Sequence, residues 1–373
     1  MRRIDSINTY RVTLDNPTLK TSYGSNVVQR EHLFVEVRDD TGIIGFGEGS
    51  PLPHFSGERA TEMQKVVEEV FAPVLLGLSV FDLETASISL DRALPHHQAS
   101  KSALINALLD LQGKALGVPV HGLLGGAPTQ TLRVAGAVGI SDVGTVLKSV
   151  RTLVDAGIDT VKLKVGADWR REISILEAVR ESFGGDLELR ADANSGFNRA
   201  QARRFLDAAR DLRLQYFEQP LHQADLEGMA ELRKQQLTPI AVDESLFGLK
   251  DAMTIIRAEA ADVFIVKLIK LGGLYSARKL ASIAEAAGIG CVAVSPYETA
   301  LGVSANIHLA ASSTAFHGYA AELGWGVSLV HVEGLTDLVY DQGLVQVPTT
   351  PGLGVTPPDS LFHSTSHPRQ VLR

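Results

Sequence analysis

The sequence predicts an α/β protein, a (β/α)7β TIM-type barrel with an N-terminal α+β capping domain. The chain has 373 residues, which is longer than one ordinary domain. From about residue 132 onward, eight short apolar runs alternate with amphipathic helical segments. Alternating strands and helices indicate a parallel sheet, and eight repeats over roughly 190 residues predict that this sheet closes into a barrel. The preceding residues follow another pattern, with strands first and helices after them.

The capping domain is predicted from strand-like stretches followed by helical ones. The stretches "RIDSINTYRVTL" and "HLFVEVRDDTGIIGFGEGS" alternate with the two-residue period of a strand, and "DDTG" has the composition of a hairpin turn. Helical spacing follows at about 58–76, 81–93 and 98–116, and the last of these segments ends in a glycine. We expect a capping domain (1–130), a barrel (131–345) and a tail that packs on the capping domain (346–373).

Eight apolar runs supply the predicted barrel strands. Gly157 and Gly288 each lie between a helical segment and the next run, as glycines that end helices do. The segments between the runs are amphipathic, as in "RAQARRFLDAARDL". In chain order the runs are "LRVAGAVGI", "TVKLKVG", "LELRADAN", "LQYFEQP", "TPIAVDES", "ADVFIVKLIK", "IGCVAVSP" and "GYAAELG".

Composition and charge argue against several classes of partner. The formal net charge is −8 and the sequence has no basic cluster, which argues against nucleic acid or an anionic membrane. The single cysteine, Cys291, lies in an apolar run, so a disulfide within the chain is impossible and a core role is expected. The N-terminus has no apolar signal core and no stretch approaches transmembrane length, so we expect a cytoplasmic protein.

Acidic residues stand at the ends of three consecutive runs, where a barrel places its active site. Asp192 ends the third run, Glu218 the fourth and Asp243 the fifth. Two unit charges about 4 Å apart repel by roughly 4 kcal/mol near a protein surface, so three unpaired carboxylates would be costly. A bound dication would remove this repulsion. An all-oxygen ligand set without cysteine or histidine favours Mg²⁺, with Mn²⁺ as the alternative.

Lysines flank these carboxylates on both sides. Lys162 and Lys164 are two residues apart in one strand, so they point the same way, and Lys267 ends the sixth run. When the carbon next to a substrate carboxylate loses its proton, negative charge develops on the carboxylate oxygens as an ene-diolate, which a dication and a neighbouring cation stabilise. The pattern therefore predicts removal of the proton α to the carboxylate of a small substrate.

The positive charges also set the expected role of each lysine. A lysine acts as a base only when it is neutral, and nearby positive charge lowers its pKa toward that condition. We expect Lys164 to be the base or acid, and Lys162 to hold the substrate carboxylate and lower the pKa of Lys164. Lys267 is expected to approach the same carbon from the opposite face. Glu298 follows the seventh run and Glu322 ends the eighth, so both are candidate substrate-binding residues.

The ordered motifs "VKLKVG", "RADAN", "FEQP", "VDES" and "VKLIKLGG" resemble the enolase superfamily, and within it the muconate-lactonizing (muconate cycloisomerase) subgroup. The resemblance extends over nearly the whole chain and includes "GIIGFGEGSP" in the capping domain. It implies Mg²⁺ ligands at Asp192, Glu218 and Asp243, and acid/base lysines at Lys164 and Lys267. It further implies that Asn194 and Glu244 support the metal ligands.

The subgroup contains several reactions that share this first step. The stretch "AELGWG" is similar to the cycloisomerase pattern, so a muconate-cycloisomerase-like reaction is the leading expectation. The alternatives are racemases or epimerases of N-acylamino acids, dipeptides or proline derivatives, and o-succinylbenzoate synthase. The segment "TSYGSN" resembles the loop that closes over substrate in acylamino acid racemases and succinylbenzoate synthases. Candidate aromatic pocket walls are Tyr23, Tyr297 and Trp325.

Motifs that the chain lacks disfavour some reactions of the superfamily, and two further alternatives concern the role of the carboxylates and lysines. Dipeptide epimerases carry an Asp-x-Asp pair after the eighth strand, whereas this chain has Glu322-Leu323-Gly324. The seventh run offers no histidine, which disfavours mandelate-type and sugar-acid dehydratase reactions. A catalytically idle binding relative, and a metal-free barrel whose carboxylates pair with the lysines, remain as alternatives. The resemblance also implies a homo-oligomer.

Overall fold

The structure is a computed structural model that describes residues 2–25, 28–166, 168–235, 237–324, 330–363 and 371–372. An antiparallel sheet opens the chain. Its long strands pair in the order β1, β4 and β5, and the "DDTG" turn joins the last two, which confirms the predicted hairpin. A small hairpin, β2–β3, lies between β1 and β4. The strands are β1 (Ile4–Asp15), β2 (Lys20–Thr21), β3 (Gly24–Ser25), β4 (Gln29–Asp39) and β5 (Ile44–Gly49).

Helices cover one face of this sheet, where the sequence predicts helical segments. Helix α5 approaches β5 so closely that a Cβ placed on Gly47 would lie 2.0 Å from the Ala103 carbonyl oxygen, which only glycine permits. A π-helical turn over Val67–Phe71 joins α2 to α3. The helices are α1 (Pro53–Ser56), α2 (Ala60–Val66), α3 (Ala72–Leu75), α4 (Leu83–Ala93), α5 (Gln98–Leu116) and α6 (Val120–Leu123).

A second sheet of seven parallel strands forms the barrel. The strands follow one another around it in chain order, from β7 to β13, as alternating βα units require. They are β7 (Gly136–Val138), β8 (Thr160–Lys164), β9 (Glu188–Asp192), β10 (Leu214–Glu218), β11 (Ile240–Val242), β12 (Val263–Val266) and β13 (Gly290–Ala293). The short strand β6 (Thr131–Arg133) precedes them in the chain and lies outside this sheet.

The eighth run closes the barrel with two bridges. Glu322 N donates to Ala293 O at the end of β13 (2.9 Å), and Ala321 N donates to Arg133 O just before β7 (2.8 Å). This closure confirms the predicted (β/α)7β barrel. The helices on its outside are α7 (Val143–Asp155), α8 (Trp169–Phe183), α9 (Arg199–Ala208), α10 (Leu226–Gln235), α11 (Leu249–Arg257), α12 (Leu268–Leu271), α13 (Leu274–Ala286) and α14 (Ala300–Ala311).

The C-terminal residues return to earlier parts of the chain. They form β14 (Tyr340–Asp341), β15 (Leu344–Gln346), α15 (Asp359–His363) and β16 (Val371–Leu372). Strand β15 pairs with β6, and β16 pairs with β1. The expected domain boundaries stay a prediction. Within the described ranges, none of the helices is long and apolar enough to cross a membrane.

Candidate active site

The three predicted metal ligands lie side by side at one end of the barrel. Asp192 ends β9, Glu218 ends β10 and Asp243 follows β11 directly. The parallel register pairs Asp192 with Glu218 on one side and with Lys164 on the other, so these side chains share one level. All three carboxylates are fully buried. Strand order and register therefore bring together residues that lie far apart in the sequence.

Lysines from both flanking strands contact these carboxylates. The Lys162 ammonium lies 3.1 Å from Glu218 and 2.6 Å from Glu322, and Lys164 is ion-paired with Asp192. Lys267, directly after β12, lies 2.5 Å from Asp243. Each carboxylate thus has at least one lysine against it. This arrangement includes the ion pairs expected in the metal-free alternative.

The two proposed acid/base lysines reach the same cavity from opposite sides. Counting from β7, Lys164 belongs to the second strand of an eight-position ring and Lys267 follows the sixth, so the two positions face each other across the barrel. A cavity of about 590 Å³ is lined by Lys162, Lys164 and Lys267, together with Asn194 and Glu322. A substrate in this cavity has an amine on each side.

Burial and neighbouring charges act in opposite directions on the lysine pKa values. Burial favours neutral Lys162, but Glu218, Glu322 and Asp192 outweigh it and raise its pKa well above the usual value. Lys267 is likewise buried, and Asp243 is the main cause of its raised pKa. This direction is opposite to the one expected of a neutral base, because the charge facing Lys267 is that of a predicted metal ligand.

Asn194 is hydrogen-bonded to a predicted metal ligand and to Glu244. The Asn194 backbone N–H donates to Asp192 Oδ1 (2.8 Å), and its side-chain amide donates to Glu244 Oε1 (3.1 Å). The Tyr23 hydroxyl, from the β2–β3 hairpin, donates to the same Glu244 oxygen at 2.8 Å. Burial, followed by Asp243 and Asp192, raises the pKa of Glu244 to about 7. A tyrosine of the capping domain therefore touches the residue next to a predicted metal ligand.

Glu322 and Glu298 are placed very differently. Glu322 lines the cavity and forms an ion pair with Lys162. Glu298 does not line it: its carboxylate accepts hydrogen bonds from Ser295 Oγ (2.7 Å) and Asn306 Nδ2 (2.8 Å) in a fully buried network. The geometry therefore gives Glu298 no contact with the substrate cavity, because helix α14 begins immediately after it and the carboxylate packs against that helix.

Sequence reasoning missed two residues that hold Asp243. Lys270 is fully buried and donates to Asp243 Oδ1 (2.6 Å) and to the carbonyl oxygens of Asp243 (2.8 Å) and Ile265 (2.9 Å). Gln219 Oε1 accepts the Asp243 backbone N–H at 2.9 Å. The signal for Lys270 was present in "VKLIKLGG", because a residue three positions after Lys267 returns to the same side in a one-turn helix.

The capping domain supplies one wall of the cavity. Tyr23, Arg30 and His54 line it, and the Phe55 ring lies under the Lys267 ammonium, 4.5 Å from centroid to Nζ. Tyr297, from the loop after β13, lines the same cavity, as expected of an aromatic wall. Trp325, the third aromatic candidate, lies outside the described residues.

The carboxylate cluster can be tested for its fit to a divalent ion. In the part of the chain that the structure describes, no three acidic, histidine or cysteine side chains are already arranged around a metal position. The donors are nevertheless all oxygen, which suits a hard ion. Two further buried oxygens, Glu244 Oε2 and Asn194 Oδ1, have no hydrogen-bond partner among the described residues. The donor chemistry therefore fits Mg²⁺. In this structure the lysines provide the positive charge that balances the three carboxylates.

Two family models match the chain and together cover most of it. Residues 6–125 match the mandelate racemase/muconate lactonizing enzyme N-terminal domain, and residues 145–361 match the enolase C-terminal domain-like family. These matches fall on the capping domain and on the barrel that carries the lysines and carboxylates.

Several characterised proteins are similar to the chain. An N-succinyl-L-Arg/Lys racemase of Bacillus cereus is 32% identical, covering 95% of each chain, and its crystal structure superposes with a TM-score of 0.94 over 100% of both chains at 30% identity. A muconate cycloisomerase 1 of Rhodococcus opacus is 33% identical, covering 87% of each.

A third relative is a hydrophobic dipeptide epimerase of Enterococcus faecalis, 31% identical over 86% of this chain and 90% of its own. A dipeptide epimerase structure from the same organism, in complex with Mg and L-Leu-L-Tyr, has a TM-score of 0.88 at 28% identity, covering 95% of this chain and 99% of that one. The matching domain models and relatives agree with the fold. The chain is therefore an enzyme of the enolase superfamily and belongs to its mandelate racemase/muconate lactonizing enzyme family.

Proposed function

We propose that the chain is a Mg²⁺-dependent racemase or epimerase that inverts the carbon α to a carboxylate, with an N-acylated amino acid as its substrate class. One observation carries the proposal: Lys164 and Lys267 line one cavity from opposite positions of the barrel. Inversion requires one group to remove a proton from one face of the carbon and a second group to return a proton to the other. A base and an acid on opposite sides provide this arrangement.

Each residue has a defined task in this reaction. For one enantiomer the Nζ of one lysine takes the α-proton while the other lysine gives a proton to the opposite face, and for the other enantiomer the two roles exchange. The Lys162 ammonium, held by Glu218 and Glu322, lies where it can stabilise charge on the substrate carboxylate. Asp192, Glu218 and Asp243 would hold Mg²⁺, which supplies further positive charge beside that carboxylate.

The relatives support this reaction and its substrate class. The racemase similar over 95% of this chain acts, by its name, on N-succinyl arginine and lysine, and the Enterococcus faecalis relative is an epimerase of hydrophobic dipeptides. Both names describe an amino acid whose nitrogen is acylated. The chain lacks the Asp-x-Asp pair of dipeptide epimerases, having Glu322-Leu323-Gly324 instead. This difference favours an acyl group without a free amine.

Cycloisomerisation of a muconate-like acid, the leading expectation from the sequence, is the second candidate. It is supported by the 33% identity to a muconate cycloisomerase. A cycloisomerase needs proton transfer on one face only, so the facing pair of lysines does not favour it. Mn²⁺ as a substitute ion, a homo-oligomeric state and a cytoplasmic location stay predictions.

Solvent-deuterium exchange tests the proposal. Racemase activity predicts that both enantiomers of an N-acylamino acid incorporate deuterium at the α-carbon in Mg²⁺ and D₂O, as measured by mass spectrometry. The Lys164→Ala and Lys267→Ala variants should each lose racemisation by about 10²–10⁴-fold, the range of a lost general acid or base. Each variant should still exchange one enantiomer, and the two variants should retain opposite ones, because the remaining lysine faces one side of the carbon.

Several outcomes would contradict the proposal. If both variants exchange the same enantiomer, or neither affects exchange, the lysines do not act on opposite faces. Exchange confined to muconate-like acids and dependent on one lysine would favour the cycloisomerase. Absence of exchange with every acid tested would count against both candidates.

A further inference from the structure

Arg30 is a buried cation whose charge the described protein leaves uncompensated. Only 7% of its surface is exposed, and Nε and Nη1 have no hydrogen-bond partner among the residues that the structure describes. The acidic residues of the same strand have other partners, since Glu31 is ion-paired with Arg11 and Glu36 with Arg38. Burying an unpaired charge is strongly unfavourable, so such a group is expected to have a partner that arrives from outside.

The position of Arg30 connects it to the candidate active site. It lies near the start of β4 and lines the same cavity as Lys162, Lys164 and Lys267. Its guanidinium carbon lies over the Tyr297 ring, 5.1 Å from the centroid, within the range of a cation–π contact. Tyr297 itself has a left-handed backbone (φ 58°), so the surrounding loop holds a costly conformation in forming this wall.

Other groups define the charge around Arg30. His54 lies within electrostatic reach of both Arg30 and Lys267, and burial followed by these two cations lowers its pKa, which favours the neutral imidazole. The adjacent Glu31 also lines the cavity, but its carboxylate is ion-paired with Arg11 at 3.4 Å. Arg59 also lines the cavity but is exposed. The capping-domain wall of the cavity is therefore cationic at Arg30, separate from the lysines of the barrel.

We propose that Arg30 binds a second carboxylate of the substrate, so that the enzyme acts on dicarboxylic N-acylamino acids. The first carboxylate lies with the barrel lysines, and the second meets the guanidinium on the capping-domain side. A guanidinium offers five N–H donors in a plane suited to a carboxylate, and a charged hydrogen bond in a dry site is stronger than a neutral one. The inference rests on the proposed function and narrows its substrate class.

Matched pairs of ligands test this assignment. The second carboxylate can belong to the acyl group, as in N-succinyl-L-alanine, or to the side chain, as in N-acetyl-L-glutamate. Their neutral partners are N-succinamoyl-L-alanine and N-acetyl-L-glutamine, which differ by one amide in place of the acid. Calorimetric affinity in Mg²⁺ is expected to favour the acid over the amide by about tenfold or more in one of the two pairs. The pair that shows the preference identifies which end of the substrate meets Arg30.

Variants then assign the preference to Arg30. Arg30→Gln should reduce the acid-to-amide ratio to within about twofold, and Arg30→Lys should retain part of the preference for the acid. Arg38→Gln is the matched control, because Arg38 lies in the same strand β4, is ion-paired with Glu36 and does not line the cavity, so its loss should keep the ratio. Melting temperatures identify any variant that fails to fold, and in that case Arg30→Lys carries the test.

The outcomes separate this inference from the proposed function. Equal loss of acid and amide binding in Arg30→Gln would show a structural role and overturn the inference, as would a wild-type enzyme that binds both equally. Deuterium exchange is measured on the same ligands. Exchange without an acid preference overturns only the inference, whereas an Arg30-dependent preference without any exchange overturns only the proposed reaction.

Discussion

Two lysines on one carboxylate differ in what they face. Lys267 and Lys270 both contact Asp243, but Lys267 also lines the cavity, whereas Lys270 is enclosed and donates to three buried oxygens. Lys270→Met is expected to lower the free energy of unfolding by about 3–5 kcal/mol, because it leaves buried acceptors and part of the Asp243 charge unpaired. Lys267→Met should abolish racemisation with a much smaller loss of stability. Urea denaturation and deuterium exchange measure the two effects.

The matched pair makes this prediction specific. Both substitutions replace lysine by a residue of similar length on the same short segment. A metal-free barrel in which the lysines serve only as counter-charges would instead make Lys267→Met strongly destabilising. That result, together with retained deuterium exchange of the substrate, would show that Lys267 takes no part in the proton transfer.

Glu298 gives the protein a stability that depends on pH. Burial, with the nearby Glu48 carboxylate adding to it, raises the pKa of Glu298 to about 8 against hydrogen bonds from Ser295 and Asn306 that favour the charged form. An unfolded glutamate titrates near its ordinary value of about 4.3. Between these values the folded state keeps a proton that the unfolded state has lost. Stability from this group is therefore complete below about pH 4.3 and declines as pH rises toward 8.

The Glu298→Gln variant tests this pH dependence. Between pH 5 and 8 the unfolding free energy of the wild type should fall relative to the variant by up to about 1.4 kcal/mol per pH unit. The measurement is urea denaturation at each pH, and the difference between the two proteins cancels the other titrating groups. Parallel curves would mean that Glu298 is charged in the folded protein.

Single residues were predictable where the fold fixes their direction. Asp192 and Glu218 end strands, and a barrel directs strand ends to one site, so sequence alone placed both. Glu298 follows a strand through a loop, and a loop does not fix direction, so its carboxylate points into the core and not into the cavity. Arg30 lies in a strand of the capping domain, and no local pattern shows which barrel loop such a strand will face.

At the scale of elements, the β2–β3 hairpin connects the capping domain to the metal-site supports. Ser22 Oγ donates to the Asn194 carbonyl oxygen (3.0 Å) and the Tyr23 hydroxyl donates to Glu244 Oε1 (2.8 Å). The hairpin is otherwise short and Tyr23 is half-exposed. These two side-chain hydrogen bonds and one backbone hydrogen bond, from Ile140 N to Lys20 O (2.9 Å), attach it to the barrel.

Tyr23→Phe should loosen this hairpin without unfolding the protein. Loss of this hydrogen bond deprives a buried acceptor of one of its donors and weakens the contact between hairpin and barrel by about 1–3 kcal/mol. KM should therefore rise several-fold, and backbone amide exchange over 20–25 should accelerate. Tyr275→Phe is the control, because Tyr275 donates to Glu84 on the outer surface. An unchanged rate of backbone amide exchange in Tyr23→Phe would show that other contacts hold the hairpin against the barrel.

The elements themselves were largely visible in the sequence, since their periodicity is local. The hairpin at "DDTG" and the helix over 98–116 have the predicted type, because turn composition and apolar spacing act within a few residues. The eighth barrel position has a weaker strand pairing, because it joins its neighbours through isolated bridges at Ala321 and Glu322. Its place depends on closure of the whole ring, which no local pattern encodes.

For the whole molecule, the balance of buried charge at the barrel end determines how a divalent ion affects folding. Asp192, Glu218 and Asp243 are fully buried at one level, and the lysines against them are needed as counter-charges. An ion that binds the folded chain and not the unfolded one stabilises it by about 2.7 kcal/mol at 100 times its Kd. We therefore expect Mg²⁺ to raise the melting temperature by several degrees over EDTA.

Glu218→Gln provides the decisive comparison for this prediction. The substitution keeps the shape and removes one buried negative charge, while Lys162 retains its ion pair with Glu322 at 2.6 Å. In EDTA the variant should melt at least as high as the wild type, because less like charge is buried. In Mg²⁺ it should gain little, because one ligand has lost its charge. An equal response of both proteins would place the ion elsewhere, and no response of the wild type would favour a barrel held by its own lysines.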